Sequence, residues 1–283
     1  MTQDSSKNSA DAANREAAHD KGPLLGKQVS GSETYDPSLL FPVPRSNARQ
    51  TLPEGVFEGY GEDIWHAYEL SWLDDVGMPR MFVGVLSIPA TSPNIIESKS
   101  LKLYLNSLNN HSFETLEHAV STIEGDLSSV AGGKVSLNVL DAGDRAFRGE
   151  LLEAQCLDDI PVIVPPEPHR SILDGREGDA VLCTHLLRSL CPVTAQPDWA
   201  TLVVETKGRA PTDDSLLAYA LSYRNHQEFH EQCVERIFTD IQEAVGPNYL
   251  SVHALYTRRG GLDISPWRCS EEKPAPQWRL ARQ

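Results

Sequence analysis

Apolar and polar positions follow the same order twice along this chain of 283 residues. In the first half, "IWHAYELSW" and "MFVGVLSI" flank "LDDVGMPR", whose Asp, Gly and Pro are turn formers, so a β-hairpin is predicted. "SKSLKLYLNSL" then predicts a short helix. In "FETLEHAVSTIEGDL" the apolar residues Phe113, Leu116, Val120, Ile123 and Leu127 recur at helical spacing. "KVSLNVL" returns to a strand. The second half repeats this order. "DAVLCTHLLRSL" and "TLVVETK" predict strands, and "DDSLLAYALSYR" a helix with Asp213 or Asp214 as its cap. "FHEQCVERIFTDIQEAV" predicts a second helix, with Phe229, Cys233, Ile237, Ile241 and Val245 along one stripe. "YLSVHALYT" and "GLDIS" close the half as strands.

The two helix pairs also agree letter by letter. Ser100, Leu101, Tyr104, Ser107, Asn110 and His111 align without a gap with Ser215, Leu216, Tyr219, Ser222, Asn225 and His226. A shared core requirement explains Leu and Tyr but not Ser, Asn and His, so the pattern predicts an internal duplication. The Pro-rich, acidic stretch "LLEAQCLDDIPVIVPPEPHRSILDG" places the junction between residues 150 and 175. The expected organisation is a disordered tail over residues 1–33, whose polar composition supports no packed core, and modules over 34–155 and 156–283.

Bulk composition narrows the function. An apolar fraction of 40% suffices for an ordinary core, and a formal charge of −15 repels phosphate backbones, which argues against direct nucleic-acid binding. No segment has the roughly 20 apolar residues of a membrane span, and the N-terminus lacks an apolar signal core. The five cysteines (Cys156, Cys183, Cys191, Cys233, Cys269) are odd in number and irregular in spacing, as in a reducing cytoplasm. Cys191 stands apart, because it closes an apolar run and opens the loop "CPVTAQPDW". Cys156, Cys233 and Cys269 have no motif around them and read as structural. No Gly-x-Gly-x-x-Gly follows a strand and no Walker loop is present, so a dinucleotide must bind in another way.

Three separated stretches, "ESKSLK" from Glu97, "LCPVTAQPDW" around Cys191 and "NHQEFHEQCVERI" around His230, resemble the motifs of the NADPH-dependent 7-cyano-7-deazaguanine reductases, the nitrile reductases of queuosine biosynthesis. The likeness runs from "YDPSLLFPVPR" to "RRGGLDISPWR". It implies an α+β fold of two tandem tunnelling-fold (T-fold) modules, each an antiparallel sheet with two helices packed on one face. The motifs are divided between the halves. The first keeps "ESKSLK" but has "SFET" where the second has "FHE", and the second has "TDDSLLAY" where "ESKSLK" would stand. One composite site between the modules is therefore expected.

The resemblance also implies roles. Cys191 is the nucleophile that adds to the nitrile carbon as a thioimide, Asp198, returned by the "QPDW" turn, is the proton donor, and His230 contacts substrate or moves protons. Ile96, Glu97, Ser98, Phe229, His230 and Glu231 are the substrate-binding residues. The two glutamates hold the amide-like edge of the base, since a carboxylate accepts paired N–H donors. His230 and Glu231 are placed in the first turn of their helix, beside its apolar stripe. NADPH falls to Ser98, Lys99, Arg259 and Gly260, with cations for its extra phosphate. A nitrile becomes an amine only by taking up two hydrides, so two NADPH are used in sequence around a shielded imine. The free base is the substrate, a homodimer is expected by analogy, and neither flavin nor metal is implied.

Two other readings were weighed. A zinc enzyme like GTP cyclohydrolase I would draw on Cys183 and His185 of "CTH" with Cys191 as third ligand. A non-catalytic relative would have lost some of Cys191, Asp198, Glu97, His230 and Glu231, and all five are present.

Overall fold

The computed structural model describes residue 32 and residues 34–283 apart from 56, 142, 145, 147 and 150; the tail expected over residues 1–33 lies almost wholly outside this range. The first half consists of β1 (Tyr60–Leu73), β2 (Pro79–Pro89), α1 (Ser98–Ser107), α2 (Leu116–Ala131) and β3 (Ser136–Leu140). A two-residue strand, β4 (Gln155–Cys156), precedes the second half: β5 (Ala180–Leu190), β6 (Pro197–Lys207), α3 (Asp213–Ser222), α4 (His230–Val245), β7 (Tyr249–Tyr256) and β8 (Leu262–Cys269). These eight strands join in one sheet of order β3-β2-β1-β8-β7-β6-β5-β4, antiparallel except where β4 runs parallel to β5, and two further strand pairs, Pro42–Pro44 with Asn94–Ile96 and Gly175–Glu177 with Arg209–Pro211, stand outside it. The chain is thus mixed α+β, as the resemblance implied.

The duplication extends to individual hydrogen bonds. Tyr104 donates to Asp126 across the α1–α2 pair, and Tyr219 donates to Asp240 across α3–α4, each at 2.6 Å. Ser107 and Ser222 both donate back to the carbonyl three residues earlier. Ser100 accepts from the backbone N–H of Phe41, and Ser215 from that of Asp174. Both leading strands bulge at mid-length, between Ala67 and Leu70 and between Thr184 and Leu187. The matched Ser and Tyr letters are therefore buried polar groups with equivalent hydrogen-bond partners in the two halves.

Two patterns needed correction. On α2 the buried stripe is Ala119, Ile123, Leu127 and Ala131, while Leu116 is 43% exposed and Val120 only half-buried. The helix begins at Leu116, so that residue projects ahead of the face that meets the sheet. On α3 the N-cap position belongs to Thr212, and Asp213 and Asp214 occupy the first turn, where their charges still complement the helix dipole.

The halves meet along β1 and β8, paired from Tyr60 opposite Cys269 to Ala67 opposite Leu262. The approach is close. A Cβ at Gly61, whose φ is +156°, would lie 2.1 Å from the Trp267 carbonyl oxygen. Under this seam lies a buried ion cluster that draws on both halves. Arg45 and Arg268 bind Asp63, and Arg45, Arg49 and Arg268 converge on Glu235. Burial alone would raise the Asp63 pKa, but Arg268 and Arg45 outweigh it and hold the carboxyl below its usual range. Removing one partner strands the others away from water. Glu235→Ala is therefore expected to cost about 3–5 kcal/mol, read as a lowered denaturant midpoint; an unchanged midpoint would mean that the cluster does not couple the halves.

Candidate active site

Strand β5 ends at Leu190 and hands the chain to Cys191, a thiol only 4% exposed. The loop that follows is tight. The Cys191 N–H donates to the Gln196 carbonyl and the Ala195 N–H to the Cys191 carbonyl, each at 2.9 Å, with Ala195 at a φ of +54°. A non-glycine residue in that region is strained and is held there only by its surroundings. The segment leading into α4 is stitched to the same strand end. Leu190 N–H donates to the His226 carbonyl at 2.8 Å, and Glu228 N–H to the Leu190 carbonyl at 3.2 Å. Arg236 then grips Glu228 with two bonds, and His226 adds a third contact. The start of α4 is thereby fixed beside Cys191.

Asp198 lies within β6, opposite Ser189 in the ladder, rather than in the expected turn. Pro197 already pairs with Leu190, so the turn is complete before Asp198 is reached. Its carboxylate is 8% exposed and has two basic neighbours: His230 Nε2 at 3.1 Å from Oδ2 and Arg259 Nη1 at 2.9 Å from Oδ1. The His230 ring stacks on Tyr256 with centroids 3.8 Å apart. Arg259 enters from the β7–β8 turn, where Gly260 and Gly261 both adopt positive φ.

The first half supplies the opposite wall. One cleft is lined by Ile96 and Ser98 together with Cys191, Asp198, Phe229, His230, Glu231 and Arg259. The structure thus brings residues of all three sequence motifs to one place. Glu97 has a structural role beside the substrate-binding one the resemblance implies. It caps α1, its Oε1 accepting from Lys99 N–H at 2.9 Å and its Oε2 from Ser100 N–H at 2.8 Å, and it is not among the cleft-lining residues. Lys99 and Gly260 do not line this cleft either. Gly260 borders a neighbouring one, where its carbonyl accepts from Lys102. Trp65, Pro192, Glu228 and Ile264 also line the cleft; none was singled out as a site residue, although Pro192 and Glu228 lie within the motifs themselves. Of these, Trp65 is notable: its buried Nε1 has no partner among the described residues.

Glu231 carries the strongest electrostatic perturbation of the cleft. Burial, reinforced by the charge of Asp63, pushes its pKa up to about 7. A carboxyl raised in the folded state stabilises the protein below its unfolded pKa, and that contribution is lost as pH rises through 7. Glu231→Gln should therefore stabilise the free protein at pH 8, by up to about 3 kcal/mol, while leaving pH 5 stability nearly unchanged. Thermal unfolding at the two pH values checks this, and equal shifts at both would contradict it.

The first half repeats the backbone bridge of this corner with other side chains. Leu73 bridges to Ser112 as Leu190 bridges to Gln227. In that register Asp74 stands where Cys191 does and Arg80 where Asp198 does, and the two form an exposed salt bridge. The residues matching Phe229, His230 and Glu231 are Thr115, Leu116 and Glu117 at the start of α2, displaced from the "SFET" of the sequence alignment, and all three are exposed.

A thiol, a carboxylate between imidazole and guanidinium, and a buried glutamate around one cleft define a thiol-bearing enzyme built on a duplicated α+β frame. Comparison with known proteins specifies it. Residues 32–139 match the family described as nitrile reductase, 7-cyano-7-deazaguanine-reductase N-term, and residues 197–275 match QueF-like protein. The NADPH-dependent 7-cyano-7-deazaguanine reductase of Teredinibacter turnerae is 51% identical over 87% of this chain and 91% of its own length. Proteins of the same name from Acinetobacter baumannii and Acinetobacter baylyi are 46% and 45% identical, each over 92% of this chain and 98% of their own. The chain belongs to the NADPH-dependent 7-cyano-7-deazaguanine reductase family. The cyclohydrolase reading is not favoured, and Cys191 is not among the groups gathered around Cys183 and His185.

Proposed function

We propose that this chain is a nitrile reductase that converts 7-cyano-7-deazaguanine to 7-aminomethyl-7-deazaguanine with NADPH, as a step towards queuosine. Its two halves are read as tandem T-fold modules over 34–155 and 156–283 that share one composite site. The observation that carries this reading is the cleft in which Cys191, Asp198 and His230 of the second half face Ile96 and Ser98 of the first.

The thiol adds across the nitrile. Sulfur bonds to the nitrile carbon, one C–N π bond opens, and nitrogen takes a proton, giving a thioimide with no leaving group. Asp198 supplies that proton and is resupplied from the thiol, and His230, 3.1 Å away and clamped on Tyr256, holds the carboxyl in place and carries protons for the later steps. Glu231 accepts from the adjacent N–H donors of the base, and the unpartnered Trp65 Nε1–H is available to an acceptor on it. Glu97 shares that recognition of the base with Glu231, and as the cap of α1 it also fixes Ile96 and Ser98.

The cleft mouth fits a polyanionic cofactor. Arg259 is partly exposed there, and Lys102 and the backbone of Gly260 line the adjoining cleft, with Lys99 and Ser98 on the facing helix. NADPH supplies the hydrides when bound. Arg259→Ala is expected to raise the KM for NADPH roughly 10- to 100-fold, the loss of a charged hydrogen bond, while substrate still adds to Cys191 without NADPH. An unchanged KM would place the phosphates elsewhere.

No helix among the described residues is long and apolar enough to cross a membrane. A cytoplasmic homodimer acting on the free base, without direct nucleic-acid contact, completes the proposal. Substrate-dependent NADPH oxidation with two NADPH consumed per amine formed tests it; no oxidation, or accumulation of free imine or aldehyde, would refute it.

A further inference from the structure

Away from the cleft, the far end of β5 holds a second cluster of ligand-type side chains. Cys183 and His185 are two apart on this strand, and Cys156 of β4 lies directly opposite Cys183 in the parallel ladder. The ladder is closed by a Leu157 N–H bond to the Cys183 carbonyl at 2.9 Å. The two sulfurs and one imidazole nitrogen all lie within 4.8 Å of one another. Two sulfurs on one tetrahedral zinc, with Zn–S bonds of about 2.3 Å, stand about 3.8 Å apart. Changes of no more than about 1 Å in these separations therefore bring the three ligands onto one ion.

The geometry points to a binding site for a soft divalent cation, of which zinc(II) is the representative, held by Cys156, Cys183 and His185. Three further observations support it. Thr201 Oγ1 lies 2.9 Å from His185 Nδ1 and fixes the orientation of the ring, the kind of outer contact that metal-bound histidines make. Asp158 accepts from Thr184 Oγ1 and from the His185 N–H, which places a carboxylate beside the cluster without using it as a ligand. The nearby cation, Arg282, is committed to the His185 carbonyl at 2.6 Å. The trio also borders a cavity of about 430 Å³ that Leu152, Ala154 and Leu280 line on its apolar side, so a fourth position is open to water. Two thiolates and one dication are neutral together, which suits a half-buried site.

Bound there, the ion ties the segment between the halves to β5. Its role is structural, because Cys183 and Cys191 are separated by most of the length of a strand, roughly 20–26 Å. The proposal concerns a site distinct from the catalytic thiol and stands whether or not the nitrile chemistry does.

Cobalt(II) is the probe, since thiolate ligation gives an intense near-ultraviolet charge-transfer absorption. Full-length protein, reduced until all five cysteines titrate as thiols, is expected to bind one cobalt per chain with that absorption, and zinc to displace it. Cys156→Ser, at an exposed position, should weaken binding at least tenfold and leave the fold intact by circular dichroism, and His185→Ala should shift the visible bands. Cys191→Ala should change nothing in this assay. Failure of the reduced protein to retain cobalt or zinc would overturn the proposal, and so would a spectrum lost in Cys191→Ala but kept in Cys156→Ser.

Discussion

Cys191→Ala is expected to abolish nitrile reduction, with kcat falling at least about 10⁴-fold, the scale on which removal of a nucleophile acts. Neither Asp198 nor His230 can form the carbon–sulfur bond that makes the nitrile carbon a competent hydride acceptor. The side chain is small, and the loop that presents it is held by backbone bonds to Gln196 and Ala195, so the variant should fold and still bind the base. Steady-state NADPH oxidation together with substrate binding by calorimetry makes the comparison. Retention of more than a few per cent of activity would show that hydride reaches the nitrile without a covalent step.

Asp198→Asn is expected to lower the rate of thioimide formation by about 10²–10⁴-fold, the usual range for a positioned general acid. The amide keeps the shape of the carboxyl and its place opposite Ser189 in the ladder, but it can no longer relay a proton to nitrogen. It also leaves Arg259 and His230 without their shared anion. Substrate affinity should change far less than the rate, because the base is held from Glu231 and the start of α4. Stopped-flow absorbance of enzyme and nitrile without NADPH separates the two. A rate equal to that of the parent would transfer the proton-donor role to another group.

Much of this was legible from the chain itself. Hairpin, helix pair and final strands follow from local periodicity, and the matched Ser, Tyr and His letters revealed the duplication because buried polar groups need particular partners. The motifs identified Cys191, Asp198 and the start of α4, and the split of "ESKSLK" from "FHE" implied a cleft that uses both halves. What local pattern could not supply was pairing across the chain. The links from Asp63 to Arg45 and Arg268, and from Glu235 to Arg49, join residues far apart in sequence, and so does the burial of Glu231 near Asp63 that raises its pKa. Glu97 was legible as a motif residue but not as a helix cap, since one carboxylate can serve either purpose. Cys156 read as structural because its neighbour Cys183 meets it only through the parallel β4–β5 ladder.

The halves also differ in an instructive way. The first keeps the strand end at Leu73 and its bridge to the segment before α2, as the second keeps Leu190 and its bridge to Gln227, though its turn is one residue shorter. Yet it has Asp74 and Arg80 where the second has Cys191 and Asp198. The shared backbone holds sheet and helices together in both halves, whereas the side chains at the first-half corner form a salt bridge between Asp74 and Arg80.

The central claim is one covalent site per chain, at Cys191. Intact-mass measurement of the protein mixed with 7-cyano-7-deazaguanine in the absence of NADPH addresses it directly. The account predicts a single adduct equal to the full mass of the nitrile, located on the Cys191 peptide, absent from Cys191→Ala and discharged when NADPH is added. No adduct, or one that persists in Cys191→Ala, would contradict it.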